Sequence, residues 1–106
     1  MRDIGEKELR ELTGTPGLGL AVFLYTPLCG TCQVARRMLE VAEQLLPPDT
    51  LVAVNVNTAP HWVQEQQIAS VPALYIIDAA RSQAPVVRYR MGSVEELLNE
   101  IRGVIL

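Results

Sequence analysis

Hydrophobic and polar positions follow two periods along the chain, and each change of period marks an element. Leu18–Tyr25, LGLAVFLY, is apolar almost without a break. Such a run suits a strand buried on both faces, as in a parallel sheet covered by helices. From Gly30 to Leu46 the period lengthens. Gln33, Arg36, Arg37, Glu40, Glu43 and Gln44 fall on one face; Val34, Ala35, Met38, Leu39, Ala42, Leu45 and Leu46 fall on the other. That is an amphipathic helix, stopped by Pro47-Pro48. Further strands are predicted over Thr50–Asn57, Val71–Asp78 and Pro85–Met91. In the last of these, Arg88 and Arg90 alternate with Val87 and Tyr89 and read as the wet side.

Three other stretches read as helices. Asp3 followed three residues later by Glu6 looks like an N-terminal cap, with Ile4, Leu9 and Leu12 on the apolar face. The breaker cluster Thr13–Gly17 ends that helix. Thr58 is expected to cap a short helix with Pro60 in its first turn, ending near Ile68. Ser93-Val94-Glu95-Glu96 has the capping-box spacing, and Val94, Leu97, Leu98, Ile101 and Ile105 form the face of a final helix.

The order is α-β-α-β-α-β-β-α. Strands joined through the long helix should be parallel, and the last two, joined by a short turn, antiparallel. The fold class is α/β: one mixed sheet with helices on both faces, in a single domain over residues 1–106. With 106 residues, 49% of them hydrophobic, the chain can bury a core without a covalent staple.

A net charge of −3 and the lack of a basic stripe argue against nucleic acid as a partner. Arg36-Arg37, the only basic pair, reads as a solvated helix face. The charged start, MRDIGEKELREL, has no apolar segment of a secretory signal. No apolar run approaches the roughly 18 residues that span a bilayer, so no membrane role is expected. The expected location is the cytoplasm, where a permanent structural disulfide is disfavoured.

That expectation bears on the only two cysteines, Cys29 and Cys32, which flank Gly30-Thr31 where the first strand gives way to the long helix. Residues three apart at a helix start are neighbours, close enough for a disulfide to open and close without moving the fold. The first amides of a helix lack internal partners and carry the positive end of its dipole, so a sulfur there is stabilised as an anion. Cys29, nearer the open end, is the expected nucleophile, with a lowered pKa. Cys32, more enclosed, would resolve the mixed disulfide. Gly30 lets a foreign backbone come close. Two other readings stand beside this one: an inert buried pair, and a metal or iron–sulfur site completed by a second copy. A closed zinc site needs four ligands, and the chain offers two thiols and the single histidine His61.

At these residues the chain resembles the thioredoxin family. The likeness rests on C-x-x-C opening a helix after a strand, on Val71-Pro72 in SVPALYIID and on Gly92 after the final strand. The resemblance implies a thioredoxin fold with a mixed sheet of four to five strands. It implies a cis peptide before Pro72 in a loop facing the cysteines, which leaves the Val71 backbone free to pair with an extended substrate segment. Gly92 would line the same groove, and Thr26, Pro27, Leu28 and Thr31 would shape the active-site loop.

Several family features are missing. Family members usually carry Trp-Cys-Gly-Pro-Cys; here Leu28 precedes the cysteines and Thr31 replaces the proline. The family's buried aspartate falls on Phe23, and its lysine partner on Ala53. Without that acid, Cys32 must lose its proton to water, to Cys29 or to the substrate. Slower resolution of mixed disulfides is the expectation.

The expected function is therefore a thiol–disulfide oxidoreductase acting on protein disulfides through a Cys29–Cys32 couple. No cofactor beyond that couple and no metal is expected, since no Gly-rich nucleotide fingerprint follows a strand. Electrons would come from a thioredoxin-reductase-like donor, and the protein is expected to work as a monomer. The alternative is a thioredoxin-fold binding or redox-sensing module with little turnover. His61 reads as a surface residue and Trp62 as a packed one. Tyr25 and Tyr75 read as sheet residues; Met38, Met91 and the leucines read as core.

Overall fold

The computed structural model describes every residue from Met1 to Leu106. Its central strand, β2 (Leu20–Tyr25), explains the unbroken apolar run. Successive side chains of a strand point to opposite faces. Leu20, Val22 and Leu24 enter one core together with Leu9, Trp62 and Tyr75. Ala21 and Phe23 enter a second core with Cys32, Leu39, Leu97 and Ile101. Each of these burials contributes on the order of 1.5–3 kcal/mol for a fully covered large side chain.

The sheet has five strands, β1 (Arg2–Asp3), β2, β3 (Leu51–Asn55), β4 (Ala73–Ile77) and β5 (Val86–Arg88), in the order β1-β3-β2-β4-β5. β3 lies parallel to β2, with Phe23 opposite Ala53. β4 is antiparallel to β2, and β5 is antiparallel to β4. Helices α1 (Glu6–Gly14) and α3 (Pro60–Glu65) supply Leu9 and Trp62 to the first core. Helices α2 (Gly30–Glu43) and α4 (Val94–Ile105) cover the other face. No helix is long and apolar enough to cross a membrane.

The structure corrects several local expectations. Asp3 does not cap α1. Arg2–Asp3 forms β1, which pairs in parallel with Val52 and Ala53, and Gly5 stands at the N-cap. Two residues are too few to show a period, so backbone pairing to an exposed edge decided the conformation. Thr58 does not cap α3 either. Its hydroxyl donates to Asn55 O and closes a 3-10 turn over Val56–Thr58. The orphan amide of Trp62 instead donates to Glu6 Oε1 from α1, at 2.9 Å. At α4, Ser93 Oγ accepts from Glu96 N at 3.1 Å, but the Glu96 carboxylate pairs with Arg88 rather than reaching back. The capping box is thus half formed.

Other departures concern the surface. Leu18 and Leu45 are exposed rather than core, and Met38 and Met91 are only partly buried. Arg36 is not a free surface cation: its guanidinium lies over the Tyr25 and Phe23 rings, 4.6 and 5.6 Å from their centroids. Arg90 lies beyond β5, and Arg88, expected on the wet side, folds onto α4. Trp62 is buried edge-on against Tyr75, while His61 stands in solvent.

Candidate active site

The site forms where β2 ends. Tyr25 closes the strand, and Thr26-Pro27-Leu28 carries the chain to Cys29. Pro27 is exposed and Leu28 wholly so. Cys29 is the N-cap of α2, with extended backbone (φ −118°, ψ 108°), and its Sγ accepts the Cys32 amide at 3.1 Å. A cysteine sulfur thus takes the place that a serine or aspartate oxygen usually holds at a helix start. The Thr31 hydroxyl lies 3.4 Å from the same sulfur.

Cys29 and Cys32 are joined as a disulfide, with their Cα atoms 5.1 Å apart. The two sulfurs differ in surroundings. Cys29 is partly exposed, whereas Cys32 is 2% exposed and packs within the core under α2. Gly30, exposed at the first helical position, leaves the approach to Cys29 open.

Beside the cysteines lies a hollow of about 440 Å³. One side is α2, through Thr31, Val34, Ala35 and Met38; the other is made by Pro72, Tyr89, Met91 and Gly92. The Val71–Pro72 peptide bond is cis. Gly92 has φ +68°, a backbone conformation that calls for glycine, and a Cβ there would meet only the ends of the Glu96 and Arg88 side chains. Thr31, Pro72 and Gly92 therefore meet in one groove. Val71 packs against the two cores instead of lining the hollow, and Pro27, Leu28 and Gly30 stand outside it.

The sequence reading did not single out Val34, Tyr89 or Met91 as site residues. Val34 stands one turn beyond Thr31, but the helical pattern groups it with Ala35 and Met38 on the apolar face, so nothing in the sequence marks it as a groove residue. Tyr89 and Met91 lie beyond β5, which ends at Arg88, so the alternation read over Pro85–Met91 does not give their facing.

The buried residues around Cys32 are apolar, Ala21, Phe23, Ala35, Leu39 and Ala53 among them, and no carboxylate, amine or imidazole side chain is buried in the molecule. A polar cluster lies on the same face, between Tyr25 of β2 and Asp3 of β1. The Tyr25 hydroxyl donates to Asp3 Oδ1 at 2.5 Å, and Arg36 lies 3.5 Å from the same oxygen. Burial, together with the Asp3 hydrogen bond, pushes the Tyr25 phenol above its ordinary pKa. The register Asp3–Ala53–Phe23 places this acid on the same cross-strand row as Phe23. No group of three or more His, Cys, Asp or Glu side chains converges anywhere in the molecule, and His61 sits beside Glu6 at 3.7 Å. A second hollow of about 300 Å³, around Arg81, opens at the far end of the sheet.

Comparison with known proteins matches this arrangement. The family model described as Thioredoxin covers residues 17–102. The thioredoxin-like protein YusE of Bacillus subtilis (strain 168) is 36% identical over 81 residues, which is 76% of this chain and 74% of that one. Among solved structures, chloroplastic thioredoxin z superposes with a TM-score of 0.85 at 16% identity, covering 97% of this chain and 92% of the other. Mitochondrial thioredoxin 3 from Saccharomyces cerevisiae, in its oxidized form, gives 0.78 at 17% identity, covering 98% and 95%. The structures attest the fold; the family model and the YusE match attest the lineage. The chain belongs to the thioredoxin family, and its cysteine pair occupies the turn between central strand and long helix.

Proposed function

We propose that the protein is a thiol–disulfide oxidoreductase that reduces or exchanges disulfides of other proteins. One observation carries the reading: a partly exposed sulfur at a helix N-cap, disulfide-bonded to a buried sulfur one turn on. In the reduced state, Cys29 attacks one sulfur of a substrate disulfide and releases the other as a thiolate. Its charge is held by the Cys32 amide and the open end of α2. Cys32 then gives up its proton and attacks Cys29 Sγ, which frees the second substrate sulfur. Two electrons pass to the substrate, and the Cys29–Cys32 disulfide returns. No other redox group is needed. A dithiol donor, supplied in the cell by a reductase on another chain, closes the cycle. The working form is a monomer in the cytoplasm.

The Val71 backbone and Gly92 serve as the platform for an extended substrate segment. Pro27, Leu28, Gly30 and Thr31 form the rim that such a segment crosses to reach Cys29.

A second reading, a binding or redox-sensing module with little turnover, is favoured by one feature. The core around Cys32 offers no base, so the resolving step lacks local help. Insulin reduction driven by dithiothreitol separates the two. The oxidoreductase reading expects catalytic turnover that Cys29→Ser abolishes. No turnover, and no insulin adduct trapped by Cys32→Ser, would overturn it in favour of the module.

A further inference from the structure

We infer that Arg88 and Tyr89 are positioning residues that hold the two segments, one with Pro72 and one with Met91 and Gly92, which together face α2 across the groove beside the cysteines, and so govern how protein disulfides are accepted. The inference rests on the oxidoreductase reading above.

Neither segment is held by the sheet ladder. β4 begins only at Ala73, after Val71-Pro72, and β5 ends at Arg88, before Arg90–Gly92. Both segments are tied instead by side chains from the end of β5. The Arg88 Nε donates to Arg90 O at 2.5 Å, and its Nη2 reaches Met91 O at 3.4 Å. These carbonyls belong to the wall that carries Met91 and Gly92. The same guanidinium is anchored on α4, through Nη2 to Glu96 Oε2 at 2.9 Å and Nη1 to Glu100 Oε1 at 3.3 Å. Every nitrogen of the fork is engaged, and the side chain is only 22% exposed. A lysine, with one nitrogen, cannot span two carbonyls and two carboxylates.

Tyr89 serves the segment that carries Pro72. Its hydroxyl accepts the Ala69 amide at 2.9 Å, which ties the segment before Pro72 to the end of β5. Its ring also borders the groove. Two adjacent residues thus set how the Pro72 segment and the Gly92 segment stand to each other in the wall that faces α2. A misplaced wall matters because an extended substrate must meet Pro72 and Gly92 while its disulfide reaches Cys29, and small displacements of positioning groups have large rate effects. A small disulfide that needs only the sulfur makes no such demand.

The two demands can be measured separately. The pre-reduced protein would be mixed with oxidised insulin or with 2-hydroxyethyl disulfide, and loss of its two thiols followed by the mass shift on alkylation. For Arg88→Met the insulin rate constant should fall about ten-fold, on the scale of one lost charge-assisted hydrogen bond. The 2-hydroxyethyl disulfide rate should change far less, so the ratio of the two rates shifts. Tyr89→Phe, which keeps the ring, should move the ratio in the same direction by a smaller factor. If Arg88→Met fails to fold, Glu100→Gln loosens the anchor without touching the groove and should shift the ratio likewise. Equal loss on both disulfides, or an unchanged ratio in a folded variant, overturns the inference alone. A native protein no faster than Cys29→Ser on either disulfide overturns the oxidoreductase reading, and this inference with it.

Discussion

At the end of the sheet away from the cysteines, one guanidinium gathers the chain. Arg81 donates to Leu12 O, Thr13 O, Thr15 O, Leu18 O and Asp78 O, at 2.5 to 3.1 Å. It thereby satisfies carbonyls left open at the C-terminus of α1 and fixes the loop that leads into β2. Its own backbone sits at φ +56°, a conformation costly for a residue with a side chain, and the hydrogen bonds offset that cost. At the cysteine end the arrangement is reversed. The helix start is capped by a sulfur, the core behind it is apolar, and the groove wall facing α2 is held from the side by Arg88 and Tyr89. The far end spends its polar groups on fastening the backbone. The near end leaves a sulfur, a groove and backbone edges unoccupied, as an incoming chain requires.

Phe23→Asp would break this contrast most. It replaces a fully buried ring with a carboxylate, in a core that also holds Cys32. The loss of the ring alone is expected to cost about 3–5 kcal/mol, with part recovered if the acid meets the Arg36 guanidinium that now lies over the ring. The same acid gives Cys32 a proton acceptor. Rapid-quench trapping should show the insulin adduct of the variant decaying faster than that of the native protein. An adduct that decays at the native rate or slower would refute the view that an absent base limits resolution.

Arg81→Ala tests the other end. Five carbonyls lose a charged donor at once, although water reaches some of them. The expected loss is about 3 kcal/mol, read as a lower urea midpoint at unchanged slope. The rate of insulin reduction per folded molecule should stay at the native value, because the hollow around Arg81 lies across the sheet from the cysteines. An unchanged midpoint would mean that solvent serves those carbonyls as well as the guanidinium does.

The contrast also explains what could be read in advance. The near end was legible because its chemistry is local: two cysteines three apart, at a change from strand to helix, place themselves. The central strand was legible because every residue from Leu20 to Leu24 is buried, which leaves an unbroken apolar run. The far end was not. Arg81 lies in a stretch, AARSQA, that reads as an ordinary turn, and four of its five carbonyl partners are more than sixty residues away in sequence. The same holds for Arg88, whose alternation with Val87 and Tyr89 looks like a solvated strand face; its role depends on Glu96 and Glu100 arriving from α4. Asp3 and Thr58 had capping chemistry but were drawn off, one by strand pairing with Ala53 and the other by a tight turn on Asn55. Residue type and spacing report groups that act within a few positions. They do not report a long side chain that reaches across the fold.

The finest test concerns the turn that presents Arg81. The Asp78 carboxylate accepts the Ser82 hydroxyl at 2.9 Å, the Ser82 amide at 3.1 Å and the Gln83 amide at 3.3 Å. These bonds, the Ser82 hydroxyl first, hold its pKa below the usual carboxylate range. A carboxylate whose pKa is depressed by folding stabilises the native state above its unfolded-state pKa. That contribution fades as the pH falls through the native value. Asp78→Asn should therefore lower the urea midpoint slightly at neutral pH, because an amide has one accepting oxygen and no charge for three donors. In strong acid the native side chain is neutral as well, and the two midpoints should converge. A gap that persists or widens in acid would show that shape rather than charge holds the turn, and Arg81 would then be fastened by the backbone path alone.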